Sequence, residues 1–193
     1  MTTRKHAVVR QSSWTAGVFE LVAVFAVALA TAWKSLATND IGFYDETAYL
    51  ARGLAQANGV WARFTDGATD SDYYCALSQI SQDPIGLYFM GRAGAAVLFA
   101  MGVWLAARLL TNSSLAWAAA VVAYASPAPY VWPSVAAPAA ALVLVGLAVT
   151  IRYRTLASVG IAAGCYWLAA GSRPEFIWPA FAASLISVAW LAT

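Results

Sequence analysis

Asp45 and Glu46 are adjacent carboxylates in the run from Ile41 to Leu50, and they open a stretch in which Ala48, Ala51, Leu54 and Ala55 fall on one face of a helix. That placement has a purely structural use: Asp45 as N-cap, Glu46 at the positive end of the helix dipole, and Asn58 with Gly59 as the stop. It also has a chemical one. A carboxylate fixed at a helix start beside a membrane can take a proton from an acceptor hydroxyl or amine, or organise a cation beside a phosphate leaving group. Further along, Asp70 and Asp72 flank Ser71 and offer two oxygen ligands of the kind Mg²⁺ or Mn²⁺ prefers, although a solvated loop needs no metal to explain them.

Two arginines interrupt or border the apolar segments. Arg92 lies between Ile85–Met90 and Ala93–Ala107 with no other charge in either run, so it either snorkels to an interface or faces the protein interior. Arg173 precedes Pro174 and Glu175. Proline there suits a helix start, and an arginine at that point is either an interfacial anchor or a bidentate clamp for a lipid-linked phosphate. Glu20 raises the same question as Arg92, and snorkelling or a helix-start position is the expected answer.

Other chemistries are excluded by what is missing. His6 is the only histidine, which leaves no supply of ligands or bases for a His-based zinc site or a Ser-His-Asp triad. Cys75 falls in a polar stretch and Cys165 in an apolar one, so they define no disulfide framework. A net charge of +2 without a basic stripe speaks against nucleic acid as a partner.

The elements that must position these residues are apolar. Of the 193 residues 62% are hydrophobic and only 10% are charged, well below the roughly one quarter of a soluble domain. The expected fold class is all-α, a polytopic transmembrane bundle of about six spans with a juxtamembrane helix in its first outer loop. Residues 1–13 form a cytoplasmic tail and 14–36 the first span, whose length favours a retained helix over a cleaved signal. Residues 37–83 form an outer loop that holds seven of the nine acidic residues, and 84–193 supply about five further spans.

Within that last region no charge appears between Arg108 and Arg152. As one helix, Leu109 to Ile151 would reach about 64 Å, about twice the hydrocarbon thickness. The segment must therefore reverse, at Pro127, Pro129 and Pro133, between a third span near Leu115–Ala125 and a fourth near Ala136–Ile151. Fifth and sixth spans follow, near Leu156–Ala170 and from Phe176. Basic residues at the N-terminus, Arg108, Arg152 and Arg154 set those ends on the cytoplasmic side, which implies a multi-pass protein of the inner membrane with its N-terminus inside.

The arrangement resembles the GT-C superfamily of integral-membrane glycosyltransferases, of the protein O-mannosyltransferase and lipid A aminoarabinose transferase type. Phe43 to Leu50 with the acidic pair, Gly91 to Gly94, Ala107 to Leu110, and Gly171 to Glu175 carry the likeness, in matching order over nearly the whole chain. It is a likeness to the N-terminal half of such enzymes, which usually have more spans. The resemblance implies inverting sugar transfer from a polyprenyl-phosphate donor to an acceptor on the outer face. It makes Asp45 and Glu46 the catalytic carboxylates, and Arg92, Arg173, Glu175 and Tyr49 the contacts to substrate or lipid phosphate. Because the superfamily has metal-using and metal-free members, it leaves Asp70 and Asp72 open as ligands of Mg²⁺ or Mn²⁺.

The alternative from another class is a non-catalytic GT-C-like accessory subunit of a larger membrane complex. Its expected sign is a small-residue face packed on other chains, either Gly91, Gly94, Ala95 and Gly102 or Gly160, Ala163 and Gly164. Secondary transport ranks third, since intramembrane charge is scarce and no inverted repeat is visible.

Overall fold

The computed structural model describes residues 16–30, 44–60, 68–111 and 136–192, with the side chains of 44–46, 68–71 and 174 outside that description. Among the described residues every regular element is helical. They are α1 (Ala16–Ala30), α2 (Tyr44–Ala57), α3 (Ala68–Leu77), α4 (Pro84–Thr111), α5 (Ala136–Tyr153), α6 (Leu156–Ser172), a 3-10 turn (Pro174–Phe176) and α7 (Ile177–Ala192). The expected third span and the Pro127–Pro133 reversal lie outside the described residues.

Local chemistry fixes the helix ends. Asp83 caps α4, accepting hydrogen bonds from Ile85 N at 3.2 Å and Gly86 N at 2.9 Å, and Pro84 in the first position has no N–H to satisfy. At the end of α2, Val60 N donates to Ala55 O and Gly59 N to Gln56 O, a Schellman closure that Gly59 permits at φ 75°. Thr155 and Ser158 form a reciprocal capping box at the start of α6.

α4 and α5 are long and apolar enough to cross a membrane. α1, α6 and α7 are shorter apolar helices. What they leave exposed is itself apolar: Phe19, Leu156, Trp167 and Trp178 are each at least 75% accessible. A water-facing surface of that kind is unusual, and a lipid-facing one is ordinary.

Small residues let the helices approach. Val24 and Ala28 of α1 pack on Ala96, Val97 and Ala100 of α4, and Gly102 of α4 faces Ala141 of α5 so closely that a Cβ there would fall 2.6 Å from Ala141 Cβ. α5 in turn packs on α6 and α7 through Val143, Leu147, Ala162, Tyr166, Ala180 and Ala183. Between α6 and α7 the buried hydroxyls of Tyr166 and Ser187 lie 2.8 Å apart in a hydrogen bond.

α2 and α3 form a cap on the first turns of α4, where Leu50, Tyr74, Leu87 and Tyr88 make a second core. The expected outer loop thus holds two helices instead of one. Tyr73 donates to Gly91 O at 2.8 Å and the hydroxyl end of the Tyr74 ring lies against Gly91, so this glycine face is filled from within the chain.

Candidate functional site

The cap brings distant residues together at the junction of α6 and α7. Arg173, directly after α6, is buried, and its Nη1 donates to the hydroxyl of Tyr49 on α2 at 3.3 Å. Its guanidinium carbon also lies 5.3 Å from the Tyr49 ring centroid, within cation–π range. Glu175 Oε1 is 4.0 Å from the same Nη1 while the Glu175 side chain stays largely exposed. Arg52 approaches the Tyr49 ring as well, at 6.0 Å. Tyr49 is therefore bordered by two guanidinium groups, and one of them, that of Arg173, has Glu175 beside it.

Helix geometry relates the acidic pair to this corner. α2 starts at Tyr44, so Asp45 and Glu46 lie inside its first turn, and Asp45 does not precede the helix as a cap. Position 45 is one turn before Tyr49 on the same face, and position 52 continues that face. The side chains of Asp45 and Glu46 lie outside the described residues.

Of the residues expected to bind substrate, Tyr49, Arg173 and Glu175 are in contact. Arg92, about 12 Å along α4 from its start, is buried at 5% exposure, which settles its alternatives in favour of the protein interior. Asp70 and Asp72 sit on α3, where positions two apart do not share a face. The carboxylate of Asp72 accepts a hydrogen bond from Gln56 Nε2 at 2.8 Å, tying α3 to α2, and the Asp70 side chain lies outside the described residues. Among the described residues no three His, Cys, Asp or Glu side chains gather where a metal ion could be held.

Two groupings escaped the reading of the sequence. Arg52 carried a usable signal, three residues after Tyr49 and hence beside it on a helix. The other is a correction to Glu20. Instead of snorkelling, it is buried against α4, where Arg108 Nη1 lies 3.6 Å from Oε1 and Trp104 Nε1 donates to Oε2 at 3.4 Å. Nothing in the sequence pairs residues 84 positions apart.

The chemical capacity of the α2 corner follows from its charges. Two guanidinium groups stand at one tyrosine, with the Glu175 carboxylate beside one of them, and guanidinium groups match the oxygens of a phosphate in geometry. No family model, characterised protein or solved structure matches this chain.

Proposed function

We propose that the protein is an integral-membrane glycosyltransferase of the GT-C type, which moves a sugar from a polyprenyl-phosphate donor to an acceptor on the outer face. The observation that carries this reading is the contact between Arg173 and Tyr49, which joins two elements of the resemblance across the fold. In it, Arg173 and Tyr49 hold the donor phosphate, with Arg52 adding charge at the rim. Asp45 acts as the base or acceptor organiser, with Glu46 beside it, and Mg²⁺ or Mn²⁺ is an optional partner of Asp70 and Asp72. The bundle has about six spans in the inner membrane with its N-terminus in the cytoplasm.

The direct test is sugar transfer by Asp45→Asn in proteoliposomes supplied with polyprenyl-phosphate sugars. Loss of transfer by a folded variant supports the reading, and normal turnover removes Asp45 from the mechanism.

A second reading, an accessory subunit of a larger membrane complex, is favoured by α6. A Cβ at Gly160 or Gly164 would meet nothing within 4 Å, and Ala163 between them is exposed. Native mass spectrometry of gently extracted material separates the two: a bound polyprenyl phosphate supports the enzyme, a fixed hetero-assembly without that lipid supports the subunit.

A further inference from the structure

At the opposite end of the α6 and α7 hairpin from Arg173, the turn between α5 and α6 presents Arg152, Tyr153 and Arg154, all exposed. Arg154 has φ 47°, the left-handed region that glycine enters freely and a branched or long side chain enters at a cost. It is the only non-glycine residue with positive φ among the described residues. Glycine would close α5 with less strain, and strain retained at a functional type of side chain points to a use for that side chain.

The guanidinium of Arg154 has a defined seat. Its carbon lies 4.9 Å from the Trp190 ring centroid, and Nη2 donates to Trp190 O at 3.3 Å, at the negative end of α7. Seated there, the group lies at the end of α7, and Arg152, two residues earlier in the chain, is exposed on the same turn. The same turn carries exposed apolar side chains, Ile151 at 40% directly before Arg152, Leu156 at 80% two residues after Arg154, and Tyr153 at 56% between the arginines. Cationic groups, an interfacial tyrosine and tryptophan, and apolar flanks on one short turn are complementary to an amphiphile with an anionic head.

We infer that Arg152 and Arg154, with Trp190 and Tyr153, form a binding site for the head group of an anionic phospholipid. The arginines bind the phosphodiester by charge-assisted hydrogen bonds, and the apolar flanks lie along the acyl chains. The inference rests on the membrane reading and is independent of sugar transfer.

The test is native mass spectrometry of the full chain released from nanodiscs of equal parts phosphatidylglycerol and phosphatidylcholine. The unaltered chain should retain phosphatidylglycerol about fivefold or more over phosphatidylcholine, the scale expected for one arginine at a membrane surface. R152Q/R154G should lose that preference. Should the double variant fail to fold, R152Q alone keeps the Arg154 seat on Trp190 and should still reduce the preference severalfold. Equal retention of both lipids by the unaltered chain overturns the inference, as does an undiminished preference in the folded variant.

Discussion

Tyr49 and Arg173 are 124 residues apart in the chain and meet at 3.3 Å, hydroxyl to guanidinium, where the α2 cap touches the junction of α6 and α7. The contact does two things at once. It pins the cap to the bundle, and it fixes the direction of a buried cation that would otherwise sample several rotamers. Tyr49 also packs its ring against the core of Leu50, Tyr74, Leu87 and Tyr88.

Removing only the hydroxyl separates those roles. Tyr49→Phe keeps the ring packing and the cation–π contact and should cost about 1.5 kcal/mol of unfolding free energy, the lower end for a hydrogen bond to a charged group, as suits a contact of 3.3 Å. Tyr49→Ala should cost roughly 3 kcal/mol by adding the lost ring. Denaturant titration in detergent reads both. Equal losses for the two variants would mean that the ring contributes nothing to holding the cap.

Gly91 sets how closely α3 can approach α4. A Cβ there would lie 2.5 Å from Tyr74 Cε1, and Tyr74 is fully buried. Gly91→Ala should therefore destabilise by about 1 to 3 kcal/mol and raise hydrogen exchange in α3 before other helices. Gly160→Ala is the control, because nothing stands within 4 Å and the backbone is helical. It should be neutral or stabilising by up to about 1 kcal/mol. Similar effects at both sites would show that helix propensity, not the Tyr74 contact, governs Gly91.

Much of this architecture is legible in the sequence, and the reason is periodicity and punctuation. Pro84 after Asp83 marks the start of α4, where the outer loop of residues 37–83 is expected to end, and Arg154 with Thr155 marks the break between α5 and α6. The end of α2 at Asn58 and Gly59 is equally plain, since a left-handed glycine announces a Schellman stop. α3 is not legible in the same way. Its residues, from Ala68 to Leu77, mix acidic and aromatic side chains without a helical stripe, and what makes it a helix is the seat that Gly91 and Gly94 give to Tyr74 and Tyr73. The candidate site divides likewise. Arg173 is conspicuous as an arginine beside a proline between two apolar segments, whereas its meeting with Tyr49 depends on how the cap docks, which no local spacing encodes.

The Glu20 pair makes a sharper energetic claim. Glu20 is 8% exposed and is held between Arg108 and Trp104, so Arg108→Ala leaves a buried carboxylate with one neutral donor. The loss should be roughly 3 kcal/mol, the lower end for a broken buried pair because the Arg108 side chain is partly accessible. Adding Glu20→Gln should restore part of it, since the neutral amide oxygen still accepts from Trp104 and no charge is stranded. Unfolding midpoints of the single and double variants check this. A double variant less stable than Arg108→Ala would show that the carboxylate has another essential partner.

The hydroxyls of Tyr166 and Ser187 pose a narrower question, how much one buried hydrogen bond holds two apolar helices together. They meet at 2.8 Å between α6 and α7, and Gly146 of α5 gives the tyrosine ring its space. Tyr166→Phe, Ser187→Ala and the double variant form a cycle in which the ring and the helix packing stay constant. The coupling energy should be about 0.6 kcal/mol and no more than about 1.7, the mean and the maximum for interhelical hydrogen bonds in a membrane bundle, where the separated helices find other partners. A coupling near zero would mean that ring packing in the Gly146 space fixes the α6 and α7 crossing without help from the hydroxyls.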